Sequence, residues 1–193
     1  MNILIKQNKA LYWGTSEWSA AQIVEAYRQA ERNGLIPPVV EQPQYHMLWR
    51  DRFEREYDFI FRNFNYGSTI WSPLAGGILT GKYNSGDRTS VKDTRFSDPS
   101  NRMMTSIWNR YFDDKGTTLK KLQALGDLGK DVGYTQAQLA LAWAAANQDV
   151  STVIVGSSKI SQMEENLKAL ELMNKWTPEL EGRVEKILGN KPE

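Results

Sequence analysis

The stretch Gly67 to Tyr83, GSTIWSPLAGGILTGKY, decides how the rest of the chain is read. Ser68 to Ser72 is predicted to form a short buried strand that runs into a loop of small residues. Pro73 has no backbone N–H to give to a ladder, so the strand ends there. Gly76, Gly77 and Gly81 then let the backbone pass close to something bulky. Trp71 falls at the C-terminal end of the strand, where α/β folds place their chemistry.

Upstream, Ala10 to Thr15 (ALYWGT) is apolar and β-prone, and Val39 to Gln42 reads as a second short strand that Pro43 terminates. Between them, Ser19 with Gln22 forms a capping-box pattern ahead of a helix over Ala20 to Arg32, which Gly34 stops. Phe53, Tyr57, Ile60 and Phe64 recur at helical spacing and predict a helix over Asp51 to Asn63.

Downstream, Asn84 to Ser100 is polar and reads as a long loop, of a length that is usually functional or disordered. Helices are predicted over Met103 to Phe112, over Leu119 to Leu128, and over Ala137 to Asn147 behind a second capping box, Thr135 with Gln138. Thr152 to Val155 is a fourth strand. A helix capped by Ser161 and Glu164 runs to Leu172, and Thr177-Pro178 opens a last helix that Gly189 closes. Strand and helix thus alternate four times, which implies parallel strands with right-handed crossovers. No Pro/Gly/Ser-rich linker divides residues 1–193, so one domain is expected.

The 193 residues suffice for a sizeable core. A formal net charge of +1 offers no basic field for nucleic acid or an anionic membrane. No apolar run is long enough to span a bilayer, and MNILIKQNKA is too short and too polar for a secretory signal. The lack of cysteine excludes disulfides and thiolate metal sites and fits a reducing, cytoplasmic compartment. A single histidine, His46, argues against a histidine metal cluster or a Ser-His-Asp triad, and no metal site is expected.

Each strand ends in small or polar residues at one rim: Thr15-Ser16-Glu17, Glu41-Gln42, Trp71-Ser72 and Gly156-Ser157-Ser158. The amides of Gly156 to Ser158 precede a helix and suit a phosphate, although such glycine–serine runs also make ordinary turns. Trp71 reads either as a stacking platform or as a core residue. Lys82 and Arg95 read either as phosphate partners or as solvated cations. Glu164 and Glu165 read as a cap and a solvated face unless a ligand lies near.

Four ordered blocks carry a resemblance over nearly the whole chain: YWGTSEWS (Tyr12 to Ser19), EQPQYHML (Glu41 to Leu48), WSPLAGGILTGKY (Trp71 to Tyr83) and IVGSSKISQMEEN (Ile154 to Asn166). Together they resemble the aldo-keto reductase family, in its branch of voltage-gated potassium-channel beta subunits and their reductase relatives. ILGNKP (Ile187 to Pro192) is similar to the same branch. The resemblance implies a (β/α)8 TIM barrel that binds NADP(H) across its C-terminal rim. Of that barrel the chain resembles the C-terminal half alone, strands five to eight.

By position, the resemblance implies that Ser16 and Gln42 hold the nicotinamide carboxamide with Glu17 beside them, and that Trp71 stacks on the ring. Ser72, Pro73, Leu74, Ala75 and Gly76 would line the pyrophosphate path with Lys82 close by. Arg95 would match an arginine near the adenosine phosphate. Gly156, Ser158 and Gln162 would contact the 2′-phosphate region, and Glu165 and Asn166 the adenine. Glu17 departs from the basic residue expected in the channel subunits. The family's catalytic aspartate, tyrosine, lysine and histidine or asparagine come from the other half of the barrel, so no catalytic residue is expected here and the chain alone is expected to be inactive. A half-barrel would also leave two strand edges unpaired and an apolar inner face open to water. A protein partner is therefore expected to cover it: a complementary half, a channel, or a larger filament or ciliary assembly in which the chain is a structural or regulatory subunit.

Overall fold

Four short parallel strands follow one another across a single sheet in the order β1-β2-β3-β4. They are β1 (Thr15–Ser16), β2 (Val40–Gln42), β3 (Gly67–Ile70) and β4 (Thr152–Val153). This is the α/β class expected, with the strand direction and sequential order of half a barrel. The structure is a computed structural model and describes residues 1–89, 91–92, 94–98, 100–114 and 116–193. It divides into two compact units: Met1–Pro73, Asn147–Val155 and Lys191–Glu193 form one, and Leu74–Ala146 with Gly156–Asn190 the other. No helix among the described residues is long and apolar enough to cross a membrane.

The first unit holds the whole sheet. A short helix that the sequence reading missed, α1 (Asn2–Lys6), precedes β1, and α2 (Ala20–Arg32) follows it. Ser19 caps α2 as expected: its hydroxyl accepts from the Gln22 amide, and the Gln22 side chain accepts from the Ser19 amide at 2.8 Å. The predicted helix over 51–63 is broken. Arg52–Glu56 winds as a π-helical turn, closed by the Tyr57 amide donating to the Arg52 carbonyl at 3.0 Å, and α3 (Asp58–Phe64) follows.

The strands are shorter than predicted: β1 and β2 start later than expected, and β3 and β4 end earlier. Residues 10–14 form no ladder, and Leu11 and Tyr12 are 79% and 72% exposed. Trp71 lies one step beyond β3, joined to Gln44 by a single bridge. Gly14 is needed where the chain enters β1. A Cβ there would lie 2.3 Å from both the carbonyl oxygen and Cγ1 of Val40.

One face of the sheet departs from expectation. Side chains alternate along a strand, and the register sets Ser16 beside Gln42, Gln42 level with Thr69, and Thr69 beside Thr152. Ser16, Gln42 and Thr152 are exposed and Thr69 is half-buried. The face predicted to be apolar is therefore crossed by a row of hydroxyls and one amide. Thr15, Glu41, Ser68 and Ile70 point the other way and are buried. Among the described residues, β1 and β4 are the open edges, as expected.

The second unit is helical: α4 (Arg102–Phe112), α5 (Thr117–Asp131), α6 (Gln136–Ala146), α7 (Ile160–Leu167), α8 (Ala169–Met173) and α9 (Pro178–Leu188). Helix α6 is buried on nearly every side, with Leu139, Ala142 and Ala144 fully enclosed, and packs on α5, α7 and α8. The Thr135–Gln138 capping box forms, with amide bonds of 2.9 and 3.3 Å. The Ser161–Glu164 box does not. Ser161 already lies inside α7, whose N-cap is Lys159, and the helix expected to reach Leu172 splits into α7 and α8. Thr177 and Pro178 open α9 as predicted. The described part of 84–100 contains no helix or strand, as expected for a loop, while the expectation at 90, 93 and 99 lies outside the described residues. Tyr83, Phe96 and Trp108 meet edge-on at 5.3–5.6 Å and fasten that loop to α4.

Candidate functional site

The strand-bearing unit brings six of the expected residues, Ser16, Glu17, Gln42, Trp71, Ser72 and Pro73, to the C-terminal ends of β1, β2 and β3. The Ser16 hydroxyl donates to the Gln42 carbonyl at 2.9 Å. The Gln42 amide reaches the Thr69 hydroxyl only at 3.5 Å, a weak tether that leaves a donor and an acceptor for a ligand amide. Trp71 is half-buried. Its indole N–H donates to Glu17 Oε1 at 2.9 Å, which fixes one edge of the ring. Ser72 follows with φ of 56° and Glu17 sits at 58°, both in the left-handed region that side chains disfavour. Pro73 is buried and has no amide to satisfy.

Glu17 is occupied within the protein. Its Oε1 also accepts from the Gln44 amide at 2.7 Å, and its Oε2 takes Arg52 at 2.8 Å. Sequence reading missed Gln44, Arg52 and Thr69.

Glu41, expected at the rim, is instead fully buried on the opposite face. The neighbour rule for strands predicts this, since Gln42 points to the exposed row. Glu41 Oε2 accepts from the Thr15 hydroxyl, and its Oε1 accepts from the Trp18 amide at 3.1 Å. Burial pushes the Glu41 carboxyl up, against the pull of those two donors. The Tyr66 hydroxyl meets Thr15 at 2.9 Å, and Tyr57 donates to the Trp18 carbonyl. Burial raises both phenols, and the nearby Glu41 charge adds to the rise.

His46 is fully buried and hydrogen-bonded within the protein. Its Nδ1 accepts from the Leu48 amide at 3.2 Å, and its Nε2 lies 3.1 Å from the Gln44 side-chain amide. Burial lowers its pKa to about 3, so the ring is neutral at pH 7. Nearby, Tyr45 donates to Glu54 at 2.6 Å and Arg50 pairs with the same carboxylate at 2.8 Å. Among the described residues no group of three or more potential ligands could hold a metal ion.

The helical unit carries the remaining expected residues in two clusters. Leu74 and Ala75 lead into a 3-10 turn, Ala75–Thr80, in which Gly76 and Gly77 take φ of 67° and 112°. A Cβ on Gly76 would stand 3.3 Å from the Phe96 ring, so the backbone here is pressed against an aromatic wall. Lys82 and Arg95 are exposed. In the second cluster, the Ser158 amide and hydroxyl both donate to the Gln162 side chain at 3.2 Å, and Asn166 approaches Ser157 at 3.5 Å. A side chain added at Gly156 would meet nothing within 4 Å. The Glu165 carbonyl accepts from Gln138 at 2.9 Å while its side chain is exposed.

Each unit presents its own set of polar groups. The strand ends offer amide and hydroxyl partners beside a half-buried indole. The helical unit offers exposed cations, open space over Gly156 and polar side chains ahead of α7.

Comparison with known proteins supplies the lineage. The family model described as the aldo/keto reductase family matches residues 1–187. Among curated proteins, the chain is 43% identical over 192 residues to a "Probable voltage-gated potassium channel subunit beta" of Arabidopsis thaliana, covering all of this chain and 56% of that protein. It is 42% identical to the protein of the same name from Oryza sativa subsp. japonica, again over 56% of its length. It is also 42% identical to a "Putative voltage-gated potassium channel subunit beta" of Schizosaccharomyces pombe, over 53% of that protein. The chain spans about half the length of the curated relatives it matches. With a family match across almost all of its residues, this chain belongs to the aldo-keto reductases.

Proposed function

We propose that the chain carries the NADP(H)-binding half of an aldo-keto reductase site and does not reduce carbonyls by itself. The observation that carries this reading is the meeting of Ser16, Gln42 and Trp71 at the ends of three adjacent parallel strands. Ser16 and Gln42 would hold the carboxamide and Trp71 would stack on the nicotinamide. The loop from Ser72 through Pro73, Leu74, Ala75 and Gly76, with Lys82 and Arg95, would take the phosphates. Gly156, Ser158, Gln162, Glu165 and Asn166 would take the adenosine end. When bound, NADPH supplies hydride. The protein's part is to bind and orient it, and proton delivery to a carbonyl needs a positioned acid that this half is not proposed to provide.

The open edges of β1 and β4 support a protein partner, a complementary half being the simplest. The chain should be purified and mixed with the segment that precedes the matched region in the Arabidopsis relative. NADPH oxidation with an aromatic aldehyde is then followed. We expect weak NADPH binding and no turnover from the chain alone, and both gained in the mixture. Turnover by the chain alone would overturn the reading. The similarity to proteins named as channel beta subunits favours a second reading, a non-catalytic structural or regulatory subunit of a channel or other assembly in the cytoplasm. A folded, NADPH-loaded mixture without turnover would select it.

A further inference from the structure

We propose that Glu17 is a positioning residue that fixes the Trp71 indole, and thereby the stacking surface offered to a nicotinamide ring. The proposal rests on the reading that Trp71 is that surface. Glu17 stands two residues past Thr15, on the loop that leaves β1, and reaches the ends of the next two strands at once. Its Oε1 takes the Trp71 indole N–H at 2.9 Å and the Gln44 amide at 2.7 Å. Both bonds are charge-assisted and short enough to be strong.

Its Oε2 is held in turn by Arg52 at 2.8 Å. Arg52 also lies 3.5 Å from Glu56, and Glu56 Oε1 accepts from the Ala20 amide at 2.8 Å, at the start of α2. The carboxylate is thus aimed from behind, and its free rotation is taken up by protein donors rather than by water. The Trp71 backbone is fixed separately: its amide donates to the Pro43 carbonyl at 3.0 Å, and its carbonyl accepts from the Tyr45 amide at 3.4 Å. Main-chain bonds hold the Cα in place but leave the ring free to turn about its broad outer torsion. The Glu17 bond removes that freedom.

Backbone geometry supplies an independent observation. Glu17 at φ 58° and Ser72, adjacent to Trp71, at φ 56° are both non-glycine residues in the left-handed region. Such conformations persist where the surroundings over-determine them, and they gather at ligand clamps. Here one stands at each end of the same hydrogen bond.

The test follows the indole resonances of the tryptophans in protein labelled with 15N at those side chains, with the Trp71 signal assigned from Trp71→Phe. In Glu17→Ala the Trp71 signal moves toward the position of a solvent-exposed indole and its N–H exchanges faster, while the other indoles stay in place. Glu17→Gln keeps an acceptor at the same reach and retains the signal, whereas Glu17→Met, of similar length but with no oxygen acceptor, loses it as Glu17→Ala does; a purely packing role would be rescued by both. An unmoved Trp71 signal in Glu17→Ala overturns the proposal. NADPH titrated into the same samples weakens about fivefold for Glu17→Ala, the loss of one net hydrogen bond's worth of ring ordering, and less for Glu17→Gln. If Trp71→Ala, which removes the ring, leaves NADPH affinity unchanged, the stacking reading fails while the indole signal still decides the clamp. Should Glu17→Ala not fold, Arg52→Gln releases the carboxylate from behind and must loosen the same indole signal, or the proposal falls.

Discussion

The two faces of one four-stranded sheet hold their polar groups in opposite ways. On the closed face Glu41, Thr15 and Tyr66 satisfy one another in the interior, beside Ile70 at 0% exposure. On the open face Ser16, Gln42 and Thr152 stand exposed, with Thr69 half-buried among them. Both sets come from alternate residues of the same strands. The lesson is that polarity alone does not mark the ligand side. A polar group facing inward is bound to its neighbours, whereas one facing outward keeps spare donors and acceptors. The closed face should therefore govern stability, and the open face binding.

The sharpest way to break that contrast is a pair of adjacent substitutions. Ile70→Ala should cost about 2–5 kcal/mol by urea denaturation, as for other enclosed aliphatic truncations, whereas Thr69→Ala should cost less than about 1 kcal/mol. Equal losses would mean that both faces are structural.

Next in size is acid sensitivity. His46 has a folded pKa of about 3 against an ordinary 6.5, so the unfolded chain binds a proton there that the folded one refuses. Its stabilising contribution is complete above pH 6.5 and is lost as pH falls toward 3, by about 2 kcal/mol by pH 5. Glu41 acts with the opposite sign. Its raised carboxyl pKa means that the folded state gains stability as pH falls from that raised value into the ordinary carboxylate range. Urea midpoints measured against pH, for the parent and for His46→Asn, separate the two. The variant keeps an acceptor for the Leu48 amide and should lose the slope above pH 5.

A smaller effect is expected at the start of α2, where Ser19→Ala removes one half of a capping box and should cost about 1 kcal/mol. Smallest on stability is Gln42→Ala, within about 0.5 kcal/mol of the parent by the same denaturation assay. Its effect should appear as weaker NADPH binding by fluorescence titration. A Gln42→Ala variant that unfolds with unaltered affinity would reverse the assignment of the two faces.

Most of the architecture could be read from the chain because local signals agreed with the global pattern. Ser19 with Gln22, Thr135 with Gln138 and Thr177 with Pro178 start helices where expected. Ser161 with Glu164 misled, since the same spacing also occurs within a first turn, and here Ser158 bonds to Gln162 instead. The strands were overextended because apolar runs show where a strand can form, while a ladder also needs a partner, and residues 10–14 form no ladder although the Val39 amide donates to the Trp13 carbonyl at 3.0 Å. Ser16, Gln42 and Trp71 were singled out through the family resemblance, and the structure sets them at the ends of adjacent strands. The polar row was not legible, because it emerges only when the registers of four strands are aligned. Nor was the Arg52 contact with Glu17, which joins side chains 35 residues apart in the chain.

Gly14 has a bearing on how the molecule can drift. With Val40 2.3 Å from where any side chain would begin, selection for a folded product alone should return glycine at that position from a randomised library. Gln42, in contrast, should be retained only when ligand capture is demanded as well. Sequencing survivors from the two screens would thus separate the residues that hold this scaffold together from those kept for its task.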